Sequence, residues 1–159
     1  MKTDRLMRWL TIGANLGVLV SLLLLIAELN QNRDMMRAQI RHDLAMGIVD
    51  LLQTPAENQQ LANVLFRGNS GEELMPFEMY QFERFTNALF RYWEDVHYQY
   101  RVGLYENAES ETQKEAWKVS LERSKLERDY WCKVRSLYSP EFAAEMDNLI
   151  AASPCGPGK

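Results

Sequence analysis

The chain has 159 residues, with 18 basic and 22 acidic side chains and only two histidines. A net charge of −4 and the absence of any basic stripe that could track phosphates exclude nucleic acid as a natural partner. Two cysteines in a chain this long are too few for a small disulfide-rich scaffold, leaving a globular or membrane-anchored protein.

Residues 1–8 form a short flank carrying Lys2, Arg5 and Arg8. From Trp9 to Ala27 the sequence WLTIGANLGVLVSLLLLIA bears no charge. At about 1.5 Å of rise per residue it reaches roughly 28 Å, close to the thickness of a bilayer's hydrocarbon core. A cleaved signal would have a shorter apolar core and small residues at its end, whereas this run ends Leu25-Ile26-Ala27-Glu28-Leu29. A buried soluble helix would show more polar punctuation than Thr11, Asn15 and Ser21. Residues 9–27 therefore read as an uncleaved transmembrane helix, with Trp9 at the interface and Arg8 snorkelling toward headgroups. Lys2, Arg5 and Arg8 before the span are balanced by Arg33, Arg37 and Arg41 after it. The added amino-terminal charge tips the expected orientation toward a cytoplasmic amino terminus.

Gly13-Ala14-Asn15-Leu16-Gly17 contains a GxxxG pattern, and Ser21 extends it by one more turn. At 100° per residue Glu28 falls near the same face. Small residues let helix backbones approach closely in lipid, so Gly13, Gly17, Ser21 and Glu28 are candidate helix–helix contacts. Beyond the span, Met36, Ile40, Leu44, Ile48 and Leu52 recur at steps of four, and no Gly or Pro interrupts residues 27–46. This predicts a juxtamembrane stalk helix over 28–53 with one buried face.

Thr54-Pro55-Ala56-Glu57 reads as a capping box that restarts the chain, opening a bundle domain over 54–152. Leu61, Val64 and Leu65 give the next helix its face, with Gly68 as its stop. Pro76 opens the most conspicuous helix, from Phe77 to about Val102, before Gly103. Within it Phe82, Phe85, Leu89, Trp93, Val96 and Tyr100 form an aromatic seam at helical spacing. Such a seam is either core or the wall of a ligand pocket.

Ser110-Glu111-Thr112-Gln113 reads as a second capping box, before a short helix marked by Trp117 and Leu121. Leu126, Tyr130, Val134 and Leu137 supply a further face, continuous with that helix or following it. Ser139-Pro140-Glu141 restarts the chain for a last helix bearing Phe142, Met146, Leu149 and Ile150. The tail, 153–159, is expected to be disordered. Cys132 reads as a buried thiol and Cys155 as a loose one. The fold expected is all-α: a transmembrane helix, a stalk and a bundle of about five helices.

One spacing is metal-like, the E-x-x-H of Glu94 and His97. In di-iron bundles that pair shares a helix face, but two such motifs and two further glutamates are required. The only other histidine, His42, has Gln39 three residues before it. Glu94 can instead pair with Arg91 or Arg101. No nucleophile elbow, Walker loop or dinucleotide fingerprint occurs, so no cofactor is expected.

Ala14-Asn15-Leu16-Gly17, Glu28 with Gln31-Asn32, Phe90-Arg91-Tyr92-Trp93-Glu94, Tyr98-Gln99 with Gly103-Leu104, Trp131 with Arg135, and Ser139-Pro140-Glu141-Phe142 together resemble a family of uncharacterised bacterial membrane-anchored proteins. The resemblance implies a bacterial source, a single amino-terminal span in the cytoplasmic membrane and a helical domain. It implies no activity or cofactor. The expectation is a non-enzymatic interaction protein or accessory subunit, meeting the bilayer and either itself or another membrane protein. A small-molecule sensor is the alternative, followed by a metal-dependent enzyme on Glu94 and His97.

Overall fold

A computed structural model describes residues 2–151 and 154–155, with the side chains of residues 2, 4 and 6 left aside. Among the described residues there are six α-helices, one 3-10 turn and no strand. The chain divides into two units, residues 1–39 and 40–159.

Helix α1 runs unbroken from Lys2 to Glu57. By length and composition the helix is long and apolar enough to cross a membrane, and none of its apolar window is buried. Leu23, for example, is 67% exposed. Away from its ends, every backbone polar group in such a helix is satisfied internally, which is the condition for a helix to sit in hydrocarbon.

The second unit begins with the end of α1. Ile40 and Leu44 pack on the main core, while Met36 and Leu52 of the expected stripe are exposed. Strict steps of four advance about 40° beyond a full turn each time, so the ends of that stripe drift to the opposite side. Nor does α1 stop at Gln53. The Thr54 hydroxyl donates back to the Asp50 carbonyl (2.9 Å) instead of capping a new helix, and Pro55 lies inside the last turn. The break falls at Asn58, whose side chain accepts from the Leu61 N–H (3.1 Å) and caps α2, Gln59–Asn69.

Gly68 does not end α2 either. It lies inside the helix, where a Cβ would come within 2.7 Å of the Phe82 ring, so it is the close-approach point between α2 and α3. The turn glycine is Gly71, with φ of 79°. Helix α3, Pro76–Arg101, starts on a proline and a Glu78 carboxylate that accepts from the Met75 N–H. It ends in a Schellman motif: Gly103 (φ 75°) donates to Tyr100, and Leu104 donates to Gln99.

Helix α4, Asn107–Arg123, starts three residues before Ser110, so the expected capping box is interior helix and Ser110 is buried. A cap nearby does exist at Ser124, whose hydroxyl accepts from the Glu127 N–H (3.2 Å) and separates α4 from α5, Lys125–Val134. A 3-10 turn, Arg135–Leu137, leads into α6, Pro140–Leu149. Leu137 is exposed and takes no part in the face of Tyr130 and Val134.

Two clusters form the core. The larger is aromatic: Phe90, Trp93, Trp117, Trp131, Tyr138 and Phe142 are all buried in it. The smaller joins Val64, Leu74 and Phe82. Cys132 and Cys155 are bonded to each other, with Cα atoms 5.4 Å apart and a sequence separation of 23. The expected pair of free thiols is thus overturned, since the thiol expected to be loose at Cys155 is bonded to Cys132. Most of the tail expected to be disordered, 153–159, lies outside the described residues.

Candidate functional site

Gly13, Gly17, Ser21 and Glu28 all lie on the uninterrupted part of α1, so their spacing places them along one side of it. Nothing lies within 4 Å of the position of a Cβ on Gly13 or Gly17. The Ser21 hydroxyl donates to the Gly17 carbonyl (2.8 Å), and Thr11 donates likewise to Met7 (2.9 Å). These hydroxyls are therefore satisfied within the helix. What remains on the surface is bare backbone flanked by alkyl groups, suited to close approach by a second helix.

The aromatic seam is core in its greater part. Trp93 stacks on Trp117 at 5.4 Å between centroids with planes 18° apart, and Phe142 meets Trp117 edge-on. The buried face of α3 is rotated from the expected seam toward Thr86, Phe90 and His97. Phe90, off that seam, touches Trp93, Tyr130, Trp131 and Tyr138. Phe85 and Tyr100 are only half-buried; the Tyr100 hydroxyl donates to Asn107 (2.9 Å). A surface groove of about 270 Å³ lies at the other end of the seam, floored by Met79, Phe82, Leu126 and Tyr130 and rimmed by Glu83 and Lys133.

Glu94 and His97 sit one turn apart but serve different neighbours. One Glu94 oxygen accepts from Arg91 (2.7 Å) and the other from the backbone N–H of Ser139 (2.8 Å), tying α3 to the start of α6. Burial works against the charge on Glu94, but the Ser139 N–H and the Arg91 guanidinium outweigh it and hold the carboxyl below its usual range. His97 is 6% exposed and lies against Phe142 at 5.7 Å. Burial lowers its basicity, against the opposing pull of Glu145. Among the described residues no group of three or more His, Cys, Asp or Glu is arranged to hold a metal ion.

Glu127, 6% exposed, is a buried carboxylate outside every motif named above. It accepts from the Ser120 hydroxyl (2.9 Å), and burial pushes its pKa up to about 7 despite that bond and the nearby Arg123. The S-x-x-E of Ser124 to Glu127 was the signal for its position. No protein family, curated protein or solved structure matches the chain.

Proposed function

We propose that the chain is a single-pass protein of the bacterial cytoplasmic membrane that binds protein, another copy of itself or a larger membrane complex, and catalyses no reaction. In this reading the amino terminus lies in the cytoplasm. The observation that carries this reading is the open face at Gly13 and Gly17, with the neighbouring hydroxyls already satisfied. The apolar length of α1 and the resemblance in motif to bacterial membrane-anchored proteins support the same reading.

Cross-linking in native membranes, followed by pulldown in mild detergent, tests it. Wild type is expected to give a self-adduct or a stoichiometric membrane partner, and Gly17→Leu is expected to reduce that association several-fold. A wild-type protein that is strictly monomeric and recovers no partner sinks the proposal. A second reading, a small-molecule sensor, is favoured by the groove over Phe82 and Tyr130. Its ligand would be a small apolar molecule, and Leu126→Trp would block the groove.

A further inference from the structure

We infer that Cys132 and Cys155 are a maturation site: their thiols are joined outside the cytoplasm by exchange with the disulfide of an oxidising protein, so that the bundle is completed on the extracytoplasmic face. This rests on the membrane-anchored reading above. The basic residues flanking the span are balanced, three on each side, so the amino-terminal charge tips the orientation only slightly, and the disulfide is a second, independent argument for the same face. Cytoplasmic thiols are kept reduced, whereas a structural disulfide forms and persists in an oxidising compartment. Both cysteines lie in the unit that follows the span, and neither is left free.

The packing sets the order of events. Cys132 is on α5 beside buried Trp131, and Cys155 lies beyond α6. Phe142, Met146 and Ile150 seat α6 and its end in the aromatic core, and both cysteines pack on that same core, half-buried. The thiols therefore come within bonding reach once α6 has docked, and they stay near enough to the surface for another protein to reach. In the exchange, one cysteine thiolate attacks the partner's disulfide and expels one partner thiol, leaving a mixed disulfide. The second thiolate then attacks the bundle's sulfur in that bond, forming Cys132–Cys155 and releasing the partner as a dithiol. Two cysteines are oxidised by two electrons, the partner's disulfide is reduced by two, and the two protons end on the partner's thiols.

The test uses the full chain in bacterial cells. Free thiols are blocked at harvest with a membrane-permeant maleimide. Closed spheroplasts are then treated with a charged, membrane-impermeant phosphine and a polyethylene-glycol maleimide. The result expected is no mass shift before reduction and a two-adduct shift after it, since these are the only two cysteines. In cells deleted for the extracytoplasmic thiol-oxidising enzyme, the shift should be lost because both thiols are blocked at harvest. Blocking at harvest in normal cells, a shift that appears only after lysis, or a shift indifferent to the deletion each overturns the inference. A carbonate wash of the same membranes reports separately on anchoring: release of the chain refutes the membrane reading whatever the thiols show.

Discussion

Gly68 and Phe82 approach so closely that a single added methyl group at Gly68 would lie 2.7 Å from two atoms of the Phe82 ring. Phe82 is fully buried, so it has little room to give. Gly68→Ala removes a helix-interior glycine, which alone would stabilise by about 0.5–1 kcal/mol. Overpacking a filled core costs about 1–3 kcal/mol, and here that term wins. The variant should unfold at lower urea concentration than wild type. An unchanged or raised midpoint would show that α2 can retreat from α3.

Glu127 predicts a pH dependence whose sign is opposite to that of most carboxylates. Its folded pKa is raised from 4.5 to about 7, so the unfolded state ionises first as pH rises. Its burial is therefore tolerated fully below pH ~4.5 and becomes progressively destabilising up to pH ~7, by roughly 3 kcal/mol in all. Glu127→Gln keeps an acceptor for the Ser120 hydroxyl and removes the charge. Urea midpoints for the pair should coincide at pH 4 and diverge by pH 8, with the glutamine variant more stable. Parallel curves across that range would refute the assignment.

Reduction of Cys132–Cys155 releases a 23-residue loop to the unfolded ensemble. The chain-entropy relation gives about 3 kcal/mol for a loop of that length. Cys155→Ser should match reduced wild type in tryptophan-detected unfolding. It should also be indifferent to added reductant; a further loss of stability with reductant would argue against this pairing.

Arg91 joins three things at the α3–α6 junction. Its guanidinium donates to Glu94 (2.7 Å) and to the Leu137 carbonyl (3.0 Å), and lies 4.1 Å from the Tyr138 ring centroid. A lysine can reproduce the charge but not the planar fork with its stacked face. Arg91→Lys should therefore behave nearly like Arg91→Ala, each losing about 1–2 kcal/mol. Near-UV circular dichroism of the aromatic core should weaken alongside. A lysine variant of wild-type stability would mean that charge alone matters there.

How far the sequence led depended on whether a residue's role was local. Pro76, Gly103 and Pro140 act on their own backbone, and each marked a true helix boundary. The all-α architecture followed from the same period-3.6 patterning. Thr54, Gly68 and Ser110 misled because each residue type has more than one use. Thr54 bonds back to Asp50, Gly68 admits the Phe82 ring, and Ser110 is buried inside α4. Which use applies depends on what packs there, and that information lies far away in the chain. Glu94 shows the same limit, since its two partners stand 3 and 45 residues away, and only the first was readable. The pairing of Cys132 with Cys155 needed α6 to fold back on α5, which no spacing rule encodes.

Because Cys132 and Cys155 bracket the 3-10 turn and α6, those elements sit inside a covalent ring. A protease that severs a single peptide bond between Lys133 and Leu149 would free no fragment. The nicked protein would keep its full mass until reductant is added. Meanwhile α6 would remain tethered at both ends of the cut, so that re-docking onto the aromatic core stays intramolecular and is not lost to dilution.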